Sequence, residues 1–417
     1  MTVTDLPRII SVDDHVVEPP TLWWDRLPAG RRESGPRVVR QHGVAVKTPQ
    51  GFRIVEDDGP GARWGDVWVY DDMVWPFLVG FAIVGQDRDS SHPTEEPITY
   101  DEMSPGCYEQ AARLADMDLN HVEASMCFPT VPRFCGQIFL ERRDKDLALE
   151  CLRIYNDWMV DEWCGGAGRG RLVPLTLVPL WDPVLAAEEV RRCADRGAGS
   201  VCFPEALHPL GLPTLFSGAW EPFLEACDET GTVINMHIGS SSQMPTTSPD
   251  APVRVRVPLT HQNGVRALVD WVLSGVLVRH PGIKVALSEA QAGWMPFILQ
   301  RMDDLWERGD TYEAEIRELL PEPPSQLIRG RVFSCIFNDL VGLAARDQLG
   351  MEHLMFETDY PHADSTFPHS ARTAEELVRA AGLDEHETWQ FLRGNAIACY
   401  GLERFGVAEG KVAVHGG

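Results

Sequence analysis

The segment that decides the fold is Ile9-Ile10-Ser11-Val12-Asp13-Asp14-His15-Val16-Val17-Glu18. Its apolar residues lead into an Asp-x-His pair, Asp13 and His15, and two prolines follow. On a β-strand, residues i and i+2 project from the same face, so both side chains can reach one ligand. A carboxylate oxygen beside an imidazole nitrogen suits a divalent ion such as Zn²⁺ or Mn²⁺. In isolation the pair is more typical of an ordinary polar strand end, so its meaning depends on residues further along the chain.

Composition limits the class of protein. The 417 residues are 44% hydrophobic and include 13 tryptophans, which indicates a large packed core and argues against disorder. A formal charge of −25 argues against nucleic acid as a partner, and the sequence offers no basic amphipathic helix for a membrane surface. We find no apolar stretch long enough to cross a bilayer and no signal peptide in the opening MTVTDLPRII. We therefore expect a cytoplasmic protein that acts on a small molecule.

The ten cysteines are scattered, and none form a Cys-x-x-Cys pair. Several lie within apolar runs, as Cys127 does between Met126 and Phe128. In a chain of this length the pattern predicts buried, reduced thiols and argues against a cysteine-based zinc site.

A long polar region, residues 19–107, follows the first strand. It is punctuated by glycine and proline, shows no helical periodicity and carries five tryptophans, Trp23, Trp24, Trp64, Trp68 and Trp75. Such a long excursion from a compact domain is typical of a functional elaboration. We expect an elaborated loop over the active-site rim, whose tryptophans either anchor it to the domain or wall a pocket.

From residue 108 onward, apolar strands alternate with amphipathic helices. Together with the first strand, the predicted strands are residues 9–15, 123–128, 172–178, 199–203, 232–237, 283–289, 331–337 and 353–359. Continuous apolar strands that alternate with helices indicate a parallel sheet covered by helices, and eight such units close a barrel. An open doubly wound sheet is the alternative, but no Gly-x-Gly-x-x-Gly turn follows the first strand. We predict one α/β domain over residues 1–417, a (β/α)₈ TIM barrel with a long insertion after the first strand.

Polar residues stand at the carboxyl ends of five predicted strands, where such barrels carry their chemistry. They are Asp13 and His15 on strand one, His237 on strand five, Glu289 on strand six, Asn338 just after strand seven, and Asp359 on strand eight. Each has an ordinary alternative: His237 as a hydrogen-bonded core residue, Glu289 as a helix cap, Asp359 as a turn residue. Because barrel closure brings these strand ends to one rim, we predict a shared site.

Four motifs of the sequence resemble those of a known family. The motifs are Asp13-x-His15, Ile234 to Gly239, Glu357-Thr358-Asp359-Tyr360-Pro361-His362, and Gly394-Asn395-Ala396 followed by Cys399-Tyr400-Gly401-Leu402. Together they resemble the amidohydrolase superfamily, specifically the amidohydrolase-related branch that includes aminocarboxymuconate-semialdehyde decarboxylase. The resemblance extends from residue 9 to about residue 403.

The resemblance implies one divalent metal ion, Zn²⁺ or Mn²⁺, with the ligands Asp13, His15, His237 and Asp359. Two carboxylates and two neutral imidazoles balance a 2+ charge. The sequence departs from the family twice: the first strand often carries His-x-His where this chain has Asp13, and many relatives have a histidine where this chain has Glu289. That glutamate can act as acid or base, hold a second metal ion, or orient His237.

The branch implies non-oxidative decarboxylation, a carbon–carbon lyase reaction, of a small carboxylated substrate, in which Asp359 or Glu289 protonates the carbon that loses CO₂. The alternative is hydrolysis of an amide, ester or lactone, with Asp359 taking a proton from activated water. A barrel that binds a ligand without turnover is a second alternative. His362 is a further catalytic candidate, and His208 and Asn338 are candidate substrate contacts. Relatives imply a homo-oligomer, a dimer or larger.

Overall fold

The computed structural model describes residues 6–48, 51–84 and 95–407. These residues contain twelve strands, in chain order β1 (Ile9–Val16), β2 (Arg37–Thr48), β3 (Gly51–Glu56), β4 (Arg63–Tyr70), β5 (Met73–Pro76), β6 (Val122–Pro129), β7 (Leu172–Val173), β8 (Ser200–Cys202), β9 (Val233–His237), β10 (Val285–Ser288), β11 (Val332–Ile336) and β12 (Leu354–Phe356). Eight of them, β1 and β6 to β12, correspond to the eight predicted strands.

These eight strands are parallel and close into a ring. They form two ladders, β1-β6-β7 and β12-β11-β10-β9-β8. On one side Thr176 pairs with Val201, and the amide of Cys202 donates to the carbonyl oxygen of Thr176 at 2.8 Å. On the other side the amide of Asp359 donates to the carbonyl oxygen of Asp13 at 3.0 Å. The predicted (β/α)₈ barrel is confirmed.

Some strands are shorter than predicted. The stretch predicted as 172–178 is regular only over Leu172–Val173, because Pro174 has no amide hydrogen to donate to a ladder. Strands β10 and β12 also end early, and the chain then enters the left-handed region at Glu289 (φ 53°) and Asp359 (φ 54°). Residues other than glycine rarely adopt this backbone conformation, and those that do are enriched at functional sites.

Helices cover the outside of the barrel. Those of ten residues or more are Gln110–Leu119, Lys145–Trp158, Pro183–Asp195, Glu221–Thr230, Gln262–Leu273, Met295–Glu307 and Ser370–Ala381. Shorter ones are Leu22–Arg26, Gln137–Leu140, Val253–Arg256, Val276–Arg279, Gly309–Tyr312, Ile316–Leu319, Pro324–Leu327, Leu340–Ala344, Arg346–Leu349, Glu385–Trp389 and Asn395–Tyr400. Local signals set their ends: the Asp182 carboxylate caps the amides of Val184 and Leu185, with proline in the first turn. Within the described ranges, no helix has the length and apolarity needed to cross a membrane.

The insertion differs from the expected loop. In its described part, strands β2 to β5 form an antiparallel sheet in the order β3-β2-β4-β5; residues 49–50 and 85–94 lie outside the described residues. Trp23 and Trp68 are fully buried and meet edge to face at 5.2 Å, whereas Trp64 is 56% exposed. The described part of the insertion is therefore a folded layer anchored by buried tryptophans.

The ten cysteines are all buried and free, as predicted. Burial raises the pKa of Cys135, Cys202 and Cys335 well above the ordinary thiol value. A high thiol pKa keeps the sulfur protonated and a poor metal ligand. Among the described residues, the groups that could hold a metal ion consist of histidines and carboxylates.

Candidate metal centre and active site

The four residues predicted as ligands lie together at the carboxyl ends of the barrel strands, and each is at most 2% exposed: Asp13, His15, His237 and Asp359. Nε2 of His15 is 3.2 Å from Oδ1 of Asp359 and 3.7 Å from Oδ1 of Asp13. Nε2 of His237 is 3.6 Å from Oδ2 of Asp13. Residues separated by more than three hundred positions thus converge on one point.

The polar atoms of this cluster are unsatisfied. Among the described residues, both carboxylate oxygens of Asp13 and of Asp359, both ring nitrogens of His15, and Nε2 of His237 have no well-aligned hydrogen-bond partner. Buried polar atoms left unpaired are costly and uncommon. Two carboxylates and two imidazoles that point at one another without hydrogen bonds fit a divalent cation in both charge and donor chemistry.

The His237 ring presents the correct nitrogen to such an ion. Its Nδ1 lies 2.7 Å from the carbonyl oxygen of Ile238, which can only accept, so Nδ1 carries the hydrogen and the lone pair of Nε2 faces the cluster. The ring of Phe134 stacks on it at 4.0 Å, with an interplanar angle of 7°. Burial lowers the pKa of His237 to about 4, and burial and then His362 lower the pKa of His15. Neutral imidazole is the form that binds metal ions.

The carboxylates crowd one another. Burial, followed by repulsion from Glu357 and Glu289, raises the pKa of Asp13 well above its usual value. Burial also acts to raise the pKa of Asp359, but the neighbouring His362 and His15 outweigh it, and the net pKa is lowered. A cation among these groups relieves both the repulsion and the desolvation.

The two other catalytic candidates border the cluster. Oε1 of Glu289, which follows β10, is 3.7 Å from Nε2 of His237. Nδ1 of His362 is 3.1 Å from Oδ1 of Asp359, and its ring stacks on His15 at 3.7 Å. Donor atoms of His15, Glu289, Asp359 and His362 all lie within 4.8 Å of one another.

Two cavities flank the cluster. The smaller, of about 250 Å³, is lined by His15 and His362 and by the aromatic side chains of Trp75, Phe81 and Phe134. The larger, of about 800 Å³, is lined by residues that include Glu289, Trp294, Phe337 and Asn338. The cluster thus borders a small aromatic cavity, through His15, and a larger cavity of mixed polar and apolar lining, through Glu289.

The two predicted substrate contacts, Asn338 and His208, differ in their position relative to these cavities. Asn338 lines the larger cavity. His208 is exposed, begins the short 3₁₀ segment His208–Leu210, and lines neither cavity. The structure therefore brings Asn338 to the site and leaves His208 outside it.

Sequence reasoning missed two acidic residues beside the site. Asp14, on the opposite face of β1 from Asp13, accepts hydrogen bonds from the hydroxyls of Ser11, Ser125 and Thr358 and from the amide of Tyr360 at 3.0 Å. Glu357 is buried, and its Oε2 accepts the amide of Glu289 at 3.1 Å. The i, i+2 spacing of Glu357 and Asp359 was the signal that could have found the second.

We expect Asp14→Ala to lower the free energy of unfolding by about 3 kcal/mol. The substitution removes the buried carboxylate that accepts hydrogen bonds from four donors on three chain segments, and those donors lose their partner. Denaturant unfolding of the variant and of Asp250→Ala, at an exposed position, measures the effect. A loss no larger than that of the control would contradict the structural role.

Glu18 supplies a pH-dependent prediction. It is fully buried, its carboxylate accepts the amides of Thr130 (3.2 Å) and Val131 (2.8 Å), and burial raises its pKa to about 8. The folded protein thus binds a proton that the unfolded chain releases above about pH 4.5. Wild-type stability should fall relative to Glu18→Gln between about pH 4.5 and pH 8, by on the order of a few kcal/mol. Unfolding curves across this range test it, and a constant difference would contradict it.

The fold and the site define a (β/α)₈ barrel with a buried histidine–carboxylate cluster at the carboxyl ends of its strands. The family model described as amidohydrolase matches residues 46–402. The chain belongs to the amidohydrolase family, and the resemblance inferred from its motifs is confirmed. The matched range includes His237, Glu289 and Asp359; Asp13 and His15 precede it and join the cluster through the fold. No curated protein sequence matches the chain significantly.

Solved structures share the fold. An amidohydrolase from Mycobacterium avium subsp. paratuberculosis is 20% identical, with a TM-score of 0.66, over 94% of this chain and 99% of its own. A 5-carboxyvanillate decarboxylase from Novosphingobium aromaticivorans, complexed with manganese and 4-hydroxy-3-methoxy-5-nitrobenzoic acid, is 16% identical, with a TM-score of 0.58, over 96% and 99%. A 2,6-dihydroxybenzoate decarboxylase from Rhizobium is 16% identical, with a TM-score of 0.57, over 95% and 100%. At these identities the likeness establishes the architecture.

Proposed function

We propose that this protein is a metal-dependent, non-oxidative decarboxylase of a small aromatic or unsaturated carboxylic acid. The observation that carries the proposal is the unpaired donor cluster at the base of an aromatic cavity. At about 250 Å³ the cavity is slightly smaller than the roughly 300–1,000 Å³ of typical ligand pockets, which favours a small substrate. The decarboxylases that share the fold support this choice over other reactions of the family.

In this proposal Asp13, His15, His237 and Asp359 hold one divalent ion, Mn²⁺ or Zn²⁺. An ion held by these residues would supply Lewis-acid chemistry for a substrate carboxylate. The manganese in the 5-carboxyvanillate decarboxylase structure makes Mn²⁺ the first ion to test.

The aromatic residues orient the substrate. Trp75 and Phe81 meet at 5.5 Å, and Phe81 meets His362 at 6.0 Å, edge to face. These rings and Phe134 provide flat apolar surfaces against which a planar ring can pack. A ring held there turns its carboxylate towards His15 and excludes water from the bond that breaks.

Glu289 is the proposed proton donor. When the carbon–carbon bond breaks, CO₂ departs and the bonding electron pair stays on the ring carbon, which takes a proton from the Glu289 carboxyl. Glu289 borders the larger cavity and recovers its proton through solvent there. The pKa of Asp359 is lowered, so it stays a carboxylate and does not compete as the donor; its contact with His362 positions that imidazole against the substrate.

The larger cavity favours a second candidate function, hydrolysis of an amide, ester or lactone. Its volume of about 800 Å³ accommodates a bulkier substrate, and Asn338 on its wall can donate a hydrogen bond to a carbonyl oxygen. Asp359 would then take a proton from the attacking water.

One experiment separates these functions. Protein stripped with a chelator and reloaded with Mn²⁺ or Zn²⁺ is assayed for CO₂ release from aromatic and unsaturated acids, and in parallel for cleavage of amides, esters and lactones. We expect CO₂ release from at least one acid, lost on metal removal and restored by reloading. Cleavage of amides, esters or lactones without CO₂ release would overturn the decarboxylase proposal. Neither activity, with metal bound, would indicate a ligand-binding barrel.

A further inference from the structure

One outer helix, Gln110–Leu119, contacts two of the segments that carry proposed metal ligands. Arg113 and Asp116 lie three residues apart and therefore share a face of this helix. Nη2 of Arg113 donates a hydrogen bond to the backbone carbonyl oxygen of His15, on β1, at 2.5 Å. Oδ2 of Asp116 accepts a hydrogen bond from the hydroxyl of Tyr360, in the segment after β12, also at 2.5 Å. The first and last barrel strands are thus joined to the same helix face.

The Arg113 side chain is 1% exposed, and its donors are directed at three different segments. Besides its bond to His15, it donates from Nε to the carbonyl oxygen of Gly106 at 2.8 Å and from Nη1 to Sγ of Cys127 at 3.1 Å. The carbon at the centre of its guanidinium is 4.0 Å from the ring centroid of Tyr360, a cation–π contact. The rigid fork of donors that only arginine offers therefore fixes β1 relative to the Tyr360 ring.

Both backbone polar groups of His15 are fixed by these contacts. Its amide donates to the carbonyl oxygen of Tyr360 at 2.6 Å, and its carbonyl oxygen accepts the bond from Arg113. Tyr360 directly follows Asp359, whose own amide donates to the carbonyl oxygen of Asp13. Because the direction of a side chain follows from its backbone, the aim of both ligands depends on the residues that fix Tyr360 and β1.

The hydrogen bond between Asp116 and Tyr360 has space reserved for it. Gly106 lies beside this bond, and a Cβ atom added there would overlap both Oδ2 of Asp116 and the Tyr360 hydroxyl. Glycine therefore allows the close approach of three segments at this point. We call Arg113, Asp116 and Tyr360 the clamp.

The helix is attached to the barrel by other contacts at both ends. At its start, Nε2 of Gln110 donates to three backbone carbonyl oxygens of residues 162–165. At its end, Asn120 exchanges two hydrogen bonds with Ser370, at 2.7 and 3.1 Å, and Met117 is buried. A buried guanidinium is a costly way to fill space that an apolar side chain could occupy. The polar contacts of the clamp therefore serve the ligand segments more than the attachment of the helix.

We propose that Arg113 and Asp116 are positioning residues for the metal centre. Acting through Tyr360 and the backbone, they hold the ligands His15 and Asp359 in the arrangement that binds the ion and so set its affinity. The inference rests on the proposed function, because it presupposes an ion held by these ligands. Partners that orient ligands from outside the coordination sphere typically change metal affinity by about tenfold to a hundredfold.

The Kd for Mn²⁺ of the full-length, metal-stripped protein tests the Arg113 part of the clamp. The electron paramagnetic resonance signal of free Mn²⁺ measures it during titration and requires no turnover. In Arg113→Met we expect Kd to rise about tenfold to a hundredfold, because the backbone of His15 loses its donor. Arg113→Lys keeps the charge and one donor group, so it should recover part of the affinity.

The Asp116 part of the clamp is tested by removing single groups. Tyr360→Phe and Asp116→Ala should each raise Kd about threefold to tenfold, the range expected for one hydrogen bond. Since both substitutions break the same bond, the double variant should be no weaker than either single variant. Asp116→Asn keeps an oxygen that accepts from the hydroxyl, and its Kd should stay close to that of wild type.

Two control variants separate positioning from general stability. Arg331 donates to the carbonyl oxygens of Leu277 and Leu327, at the amino end of β11 and thus at the opposite end of the barrel. The hydroxyl of Tyr108 donates to the carbonyl oxygen of Tyr100 at 3.2 Å. Arg331→Met and Tyr108→Phe should leave the Kd for Mn²⁺ unchanged. Denaturant unfolding of the metal-free proteins measures the stability that each variant loses.

The outcomes distinguish this inference from the proposed function. Wild-type binding of Mn²⁺ with an unchanged Kd in Arg113→Met and Tyr360→Phe would overturn the inference and leave the metal site standing. A rise in Kd that only follows lost stability, and is as large in Arg331→Met, would overturn it as well. No binding of Mn²⁺ by wild type would overturn the proposed function, and this inference with it. If Arg113→Met does not fold, Tyr360→Phe decides, because it removes a single oxygen atom.

Discussion

Replacing His237 with alanine is expected to reduce bound Mn²⁺ or Zn²⁺ from about one ion per chain to a small fraction, and to abolish most CO₂ release. The residue offers one unpaired nitrogen to the cluster, and its other nitrogen is already committed to the carbonyl oxygen of Ile238. Loss of the ion removes several kcal/mol of transition-state stabilisation, which corresponds to a decrease of about a thousandfold or more in kcat/KM. Metal analysis by mass spectrometry and CO₂ assays measure both effects.

The matched control is His280→Ala. His280 is another largely buried histidine, whose Nε2 is 2.7 Å from Oε2 of Glu221, away from the cluster. Its replacement should leave the metal content unchanged. If His237→Ala keeps its metal ion as well, the proposed ligand set is wrong.

Glu289→Gln is expected to lower kcat by about a hundredfold to ten-thousandfold while the metal content stays close to that of wild type. Glutamine preserves the size of the side chain but carries no transferable proton. The backbone contact is preserved too, because the Glu289 amide donates to Glu357 independently of the side chain. Steady-state kinetics with the best acid of the substrate panel, together with metal analysis, measures the effect.

The same variant separates two of the roles that the sequence left open for Glu289, proton donor and metal ligand. A loss of kcat with metal retained supports the proton donor. A loss of the metal ion together with activity would make Glu289 a ligand and contradict the proposed role. Glu229→Gln, in an exposed ion pair, controls for general effects of removing a carboxylate and should behave as wild type.

The sequence predicted the barrel, and the convergence of polar residues at the carboxyl ends of its strands, for a simple physical reason. Buried parallel strands are almost entirely apolar, so a polar residue at the carboxyl end, such as His237 after Ile234-Asn235-Met236, stands out in the pattern. Closure of eight strands then brings such residues together without any further information. Asp13, His15 and Asp359 could be placed by the same argument.

Other features depend on contacts between distant segments of the chain, which the local sequence pattern does not indicate. Asp13 and Asp14 are adjacent acids, and only the hydroxyls brought by β6 and by the segment after β12 assign the second to a structural role. The strands of the antiparallel sheet in the insertion are partly solvated, so the alternation of apolar and polar residues along them is weak. His208 follows a barrel strand as Asn338 does, but its loop carries it outwards to solvent.

The turn that bears Arg133 and Phe134 was also not foreseen. Its position depends on Glu18, which is more than a hundred residues earlier in the chain and holds two of its amides. The left-handed conformation of Arg133 has no local signal, since glycine or asparagine is the usual residue there.

We propose that the cluster of Asp13, His15, His237 and Asp359 at the carboxyl ends of the barrel strands binds one catalytic divalent ion. Anomalous X-ray diffraction from crystals of the Mn²⁺-loaded protein, collected at the manganese absorption edge, tests it most directly. We predict a single strong peak enclosed by Asp13, His15, His237 and Asp359. A strong peak elsewhere with none between these four side chains, or no peak at saturating Mn²⁺, would contradict the account.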